Sequence, residues 1–364
     1  MHAFNLRKSA LAVVAAGALV SLALLPAASA QAASRPSVAV AATHPDVSTK
    51  AKWQTAIAQV PERGTGCYQA SYPSLQWHSV KCVAAPKIPL APALRPGSAK
   101  HTGPLTVGDG TDYSAVVSGL ISKATGTFTN VSSGISEKGD VGGSGSKVSN
   151  SFSLQLNSQF FTGSPACAHA SVPADCQAWQ QFVYTYNGGN TGDVYMQYWL
   201  IDYSASCPSG WSSYSSDCYT NSNASEVSGI TAAELATVSL SATAASGGND
   251  AVSLSLGSGS ATTVTGKDTK VDLAAYWNTT EWGVYGDGGG SAADFGTSNT
   301  LEAVTALTST SSSAPSCVEE GFTGETNNLT LAATAALGTA SLPTIGSKQT
   351  DGTPGTASCS AVAG

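Results

Sequence analysis

The sequence predicts an all-β chain folded as one antiparallel two-sheet β-sandwich, stapled by disulfides, with a small N-terminal extension. Three observations carry this. Residues 177–203, QAWQQFVYTYNGGNTGDVYMQYWLIDY, hold two runs dense in aromatic and branched residues around a polar tract with three glycines, the composition of a β-hairpin. From residue 105 onward, short segments with period-two character recur between Gly, Asn, Asp and Ser clusters, and no repeat of fixed length is visible. Charged residues make up only 11% of the 364-residue chain, while Thr and Val are abundant.

The chain opens with Arg7 and Lys8, an apolar run over residues 10–25, and Ala28-Ser29-Ala30 before Gln31. This reads as a secretory signal peptide over residues 1–30, too short in its apolar run for a membrane anchor. The expected product is secreted and extracellular, with no membrane association. Without those residues, 14 Lys and Arg face 23 Asp and Glu. An acidic chain with no basic stripe is a poor ligand for nucleic acid, so no nucleic-acid partner is expected.

Residues 31–49 have no period and read as a leader. Trp53, Ala56, Ile57 and Val60 fall at helical spacing and are stopped by Pro61, predicting a short amphipathic helix. It serves either as a clip on the main body or as part of a pro-segment. Residues 66–86 form an aromatic-rich loop, and Pro86, Pro89, Pro92, Pro96 and Pro104 then predict an extended linker. The expected organisation is therefore a signal peptide at 1–30, an extension at 31–104 and a sandwich domain at 105–364. Within the sandwich, strands are expected at 113–121, 151–161, 235–242, 251–256, 262–265, 271–275, 281–285, 301–308 and 329–335, besides the hairpin. On the second hairpin strand Val194, Met196, Tyr198 and Leu200 should share one face, and Tyr195, Gln197, Trp199 and Ile201 the other.

All eight cysteines follow the signal region, and an even count in an exported chain implies disulfides. Their positions fall into three close pairs and one remainder: Cys67 with Cys82, Cys167 with Cys176, Cys207 with Cys218, and Cys317 with Cys359. No C-x-x-C occurs, and His44, His78, His101 and His169 are scattered, so no metal and no cofactor is expected.

Familiar catalytic signatures are missing: there is no H-E-x-x-H, Walker loop, G-x-S-x-G or EF-hand loop. Ser144 and Lys147 match S-x-x-K in letters only, within glycine-rich surroundings. His169 is the one histidine placed where a Ser-His-Asp arrangement could use it. Residues 280–297, TEWGVYGDGGGSAADFGT, differ in kind. Glu281 beside Trp282 is a carboxylate next to aromatic bulk, and desolvation there would raise its pKa toward the range of a general acid or base.

Glu281-Trp282 with the following valine, and the later Ala293-Asp294-Phe295-Gly296, resemble the motif around the catalytic glutamate of the glutamic peptidases, the eqolisins. That resemblance implies a jelly-roll or concanavalin-like sandwich. It also implies a peptidase in which Glu281 is the general base on water, and Gln180 or Gln181, in Trp179-Gln180-Gln181-Phe182-Val183, stabilises the oxyanion. Asp287 stands nearest to the acidic residue that the family carries after this strand, and the aromatic strand lacks the family's glutamate. The whole chain, including the GCY-x-ASYPS-x-x-W loop and residues 321–328, resembles a set of uncharacterised secreted bacterial proteins more closely than it resembles any proven peptidase. A polypeptide is the substrate on this reading.

Two other readings compete. A non-catalytic sandwich could bind polysaccharide or a cell-surface partner through Tyr195, Trp199, Trp211 and Tyr214, whose ring faces would stack on sugars. A glycosidase would need a carboxylate pair, Glu281 with Asp202 or Glu325. A monomer is expected in each case.

Overall fold

In the computed structural model, residues 45–61, 64–93, 106–352 and 355–364 are described. The signal segment, most of the leader, and Pro96, His101 and Pro104 lie outside these residues. Two sheets face each other, as the alternating pattern predicts. Among the described residues the larger has fourteen strands and the smaller ten. The smaller sheet runs, from one edge, through Ser212–Tyr214, Asp217–Asn221, Thr191–Ile201, Gln177–Asn187, Ser151–Ser158, Thr279–Tyr285, Tyr113–Val116 and Ser316–Glu319; Asn223–Ser228 and Val83–Ala84 join at its side.

The hairpin lies near the middle of this sheet, with Gln177 opposite Ile201 and Thr185 opposite Asp193. Strand parity divides its side chains as expected. Val194, Met196, Tyr198 and Leu200 enter the main core between the sheets, together with Phe182, Leu154, Leu156 and Trp282. Tyr195, and Trp199 with Ile201, instead join two small clusters on the other face. Trp282 lies so close to the Ile121–Thr129 strand that a Cβ on Gly126 would stand 2.1 Å from its ring, so this glycine is dictated by packing. Phe128 packs beside the same ring at 4.8 Å.

All four expected disulfides form, with Cα separations of 5.4, 5.7, 5.6 and 6.1 Å in chain order. Such a set fits a protein that matures in an oxidising compartment. No helix among the described residues is long and apolar enough to cross a membrane.

Three sequence expectations are corrected. The segments at 235–237 and 271–275 are 3₁₀ turns rather than strand: Ala232–Thr237 follows a capping box made by Thr231 and Glu234, and Leu273–Ala275 follows Asp272 at φ 58°. The boundary near residue 104 does not divide the described residues. Gly66–Ser71 pairs along its whole length with Ser260–Lys267, which weaves the extension into the larger sheet, and Pro45–Gly364 is one compact unit. The helix does form, at Lys50–Ile57, and buries Trp53 and Ile57 against Ala70 and Ala261 as a clip on that sheet. Finally, Pro86, Pro89 and Pro92 belong to no free linker, because residues 86–93 run across the outer face of the smaller sheet.

Candidate functional site

Register on the smaller sheet brings separate strands into one transverse row. Gln197 is opposite Gln181, Gln181 opposite Asn157, Asn157 opposite Glu281, and Glu281 opposite Ser114. Directly opposed residues point to the same side, so five polar side chains line up on the face turned away from the larger sheet. Glu281 and Gln181 are separated by one intervening strand, about 10 Å between backbones. All five are fully buried.

Hydrogen bonds link the row. Asn157 Nδ2 donates to Glu281 Oε2 at 2.7 Å and to Gln155 Oε1 at 3.1 Å. Gln181 Nε2 donates to the same Gln155 Oε1 at 3.1 Å, and Gln155 Nε2 donates to Ser153 Oγ at 2.8 Å. At the far end Trp199 Nε1 donates to Gln181 Oε1 at 3.1 Å and to Gln197 Oε1 at 2.9 Å. The amides thus hold one another in fixed orientations, the preorganisation that stabilising a developing charge requires. Glu281 Oε1 and Asn157 Oδ1 accept none of the described hydrogen bonds.

Parity decides between the two glutamines. Gln181 shares the face of Glu281. Gln180 points between the sheets, where its Nε2 donates to Asp250 Oδ2 at 2.9 Å. The expectation that Gln180 could serve Glu281 is therefore corrected, since consecutive strand residues face opposite ways.

The carboxyl beside Glu281 is one the sequence reading missed. Burial raises the pKa of Glu281, the charge of Asp112 raises it further, and the bonds from Asn157 and the Phe322 amide oppose the rise. Asp112 is likewise raised by burial, against hydrogen bonds from the Tyr285 hydroxyl and the Tyr113 amide. Neither described salt bridge, Lys52 with Asp46 or Lys147 with Asp294, reaches this pair. Two neighbouring carboxyls without a cation cannot both ionise readily, so together they hold at least one proton well above the usual carboxylate range. The signal for Asp112 was faint, an acidic residue just before a short strand in a glycine-containing loop. Asn157 and Gln155 had a clearer one: they alternate with Leu154 and Leu156, a polar face that reads as solvated until something covers it.

Two segments cover it. The loop at residues 320–325 lies over the Glu281 end: Phe322 N donates to Glu281 Oε2 at 3.1 Å, and a Cβ on Gly321 would stand 2.8 Å from Glu281 Oε1. Phe322 also closes over Trp179 and Trp199. Residues 86–93 lie over the Gln197 end, where Leu90 N donates to Gln197 Oε1 at 2.9 Å. The two segments join to each other, Ala93 N to Phe322 O and Gly324 N to Ala91 O, both 2.8 Å.

The other expected site residues divide. Tyr195 and Trp199 share the row's face but have no exposed surface, while Tyr214 stays 40% exposed and packs edge-on against Trp199. Trp211 is half-buried against the core. Glu325 belongs to the cover: it accepts from Ala91 N at 2.9 Å, Gly290 N at 3.2 Å and the Thr323 hydroxyl, and burial, despite these bonds, pushes its pKa up to about 7. Asp202 lines a cleft of about 570 Å³ beside Phe160, Tyr214 and the end of the cover at Ala93. Asp287 accepts from Gly142 N at 2.6 Å and orders the glycine loop, and Asp294 stands on Ala292–Phe295 in the larger sheet. His169 is exposed. No cluster of three or more His, Cys, Asp or Glu suited to a metal occurs among the described residues.

No family model, no curated protein and no solved structure matches the chain.

Proposed function

We propose that the chain is a secreted endopeptidase of the glutamic type in a latent, covered state. The observation that supports this best is the row itself: one carboxylate and three side-chain amides from adjacent strands, fixed by mutual hydrogen bonds on a single face. In the uncovered protein Glu281 takes a proton from water as the oxygen attacks the peptide carbonyl carbon. Gln181, helped by Asn157, donates to the oxyanion, and the proton then passes to the leaving amine as the C–N bond breaks. The charge of Asp112 helps to set the pH at which Glu281 is ionised.

Removing water from the face explains latency as well as burial does. A carboxyl that stays protonated under cover cannot act as a base, and readmitting water lowers its pKa, so uncovering exposes and charges Glu281 in one step. Binding of carbohydrate is the second reading, and Tyr214 beside the 570 Å³ cleft favours it. It ranks lower because stacking needs free ring faces, which Tyr195 and Trp199 lack.

The test is hydrolysis of an unfolded protein between about pH 2 and 7, a window spanning ordinary and desolvated carboxylates. Glu281→Gln keeps the shape and should abolish turnover. Asp112→Asn removes the neighbouring charge and should move the acid limb of the pH profile to lower pH. Absence of turnover by the wild-type protein across the whole window, after limited proteolysis of the cover, would sink the reading.

A further inference from the structure

Residues 86–93, Pro-Lys-Ile-Pro-Leu-Ala-Pro-Ala, are held to the sheet by their main chain. Asn221 Nδ2 donates to Pro86 O at 2.8 Å, the Tyr219 hydroxyl to Lys87 O at 3.1 Å, and Gly289 N to Pro89 O at 2.8 Å. Leu90 N and Ala91 N donate to Gln197 and Glu325, and Ala91 O and Ala93 N pair with the loop at 320–325. Contacts of this kind recognise an extended backbone whatever its sequence, as clefts that bind peptides do. One side chain adds selectivity: Leu90, with no exposed surface, is clustered with Val183, Tyr195 and Ala224. Ile88, by contrast, is 41% exposed.

The main chain of this segment meets the amide of Gln197 and the carboxyl of Glu325, polar groups that a solvated groove would also present.

We infer that the face under residues 86–93 is a binding groove for an extended, proline-containing polypeptide, and that Val183, Tyr195 and Ala224 form its subsite for one aliphatic side chain, filled in cis by Leu90. The groove extends the proposed peptidase site and rests on that reading for its purpose, though not for its test. Val183 and Tyr195 stand two residues along their strands from Gln181 and Gln197 on the same face, so a chain bound there leads directly to the polar row. Substrates would then carry a Leu-like residue a few positions from the bond cut.

The experiment titrates a synthetic peptide with the sequence of residues 86–93 into the wild-type protein, Leu90→Ala and Leu90→Glu, by calorimetry. Emptying the subsite in cis should let the peptide bind in trans to both variants and not to the wild type. The same peptide with Ala in place of its Leu should bind at least tenfold more weakly. A folded variant that binds neither peptide, or both equally, overturns the groove. Should both variants fail to fold, hydrogen exchange on the wild-type protein decides. Amides of Leu90, Ala91 and Ala93 that exchange before those of Gln181 and Gln197 support a displaceable occupant, and exchange only with global unfolding overturns it. Leu-dependent binding without hydrolysis by the Leu90→Ala protein leaves this inference standing and removes the peptidase reading; hydrolysis indifferent to the aliphatic residue does the reverse.

Discussion

The two faces of the smaller sheet are built from the same strands by alternate residues, yet they solve burial in opposite ways. The inner face is aromatic and aliphatic: Phe152, Leu154, Leu156, Phe182, Trp282 and Val284 pack against the larger sheet. The outer face carries Gln155, Asn157, Gln181, Gln197 and Glu281, all equally buried, beneath two segments held by hydrogen bonds. Apolar burial on one side is strongly stabilising and, apart from Asp250 paired with Gln180 between the sheets, indifferent to pH. Polar burial on the other is close to neutral when every group is paired, and costly where a carboxyl has only amide partners. The difference teaches that complete burial rests on apolar packing at the inner face and on a hydrogen-bonded cover at the outer.

The comparison breaks most visibly at Trp282. Trp282→Ala removes a ring that touches Gly126 and Phe128 and should cost about 3–5 kcal/mol, read as a lower urea midpoint. A loss under about 1 kcal/mol would mean that the inner face is no tighter than the outer.

Gln180 and Gln181 are neighbours in sequence on opposite faces, and the paired substitutions to Leu should separate stability from function. Gln180→Leu leaves Asp250 Oδ2 without its side-chain amide donor and should cost about 1–3 kcal/mol. Gln181→Leu leaves Gln155 Oε1 and Trp199 Nε1 with their other partners, so stability should change little, while the proposed peptidase reading requires turnover of the uncovered protein to fall about 10²–10³-fold. The opposite assignment of the two losses would reverse the parity argument.

Stability should also depend on pH in an unusual sense. Burial, aided by the charge of Asp268 and opposed by Gln180, pushes Asp250 up to about 8, and Glu325 stands at about 7. Between the ordinary carboxylate range near pH 4 and these values the folded chain holds protons that the unfolded chain has lost. Stability is therefore fullest below about pH 4 and falls as pH rises, by about 1.4 kcal/mol per pH unit for each such group. Melting temperatures measured from pH 4 to 8 should decline, and Asp250→Asn and Glu325→Gln should each flatten the slope. In a Leu90→Ala protein whose cover has opened, as peptide binding in trans would report, Glu325 regains water and only Asp250→Asn should still flatten it. A profile that rises with pH contradicts the account.

The smallest effect is expected at Tyr214. Its ring is 40% exposed and touches Trp199 edge-on, so Tyr214→Ala should cost less than about 1 kcal/mol. Loss of polysaccharide retention in that variant, if the wild-type protein shows any, would favour the carbohydrate reading.

Local chemistry was enough for the sequence to determine the sandwich, the hairpin with its two faces, the short helix and the four disulfides. Alternation with period two, turn residues and close cysteine spacing act over a few residues, and each left a legible mark. Parity also allowed Gln181 and Glu281 to share a face, and equally allowed Gln180 to do so. Only the tertiary structure chose, because the choice rests on register between strands that lie a hundred residues apart, from Gln181 through Asn157 to Glu281. The cover was illegible for a related reason. Pro86, Pro89 and Pro92 have no internal hydrogen bonds to reveal a preference, so in sequence they look like a linker, and what holds them is Gln197, Tyr219, Asn221 and Glu325. The pairing of Asp112 with Glu281 is likewise a product of folding, since a pKa is raised by the water that surrounding elements exclude and no carboxyl carries that information in its own neighbours along the chain.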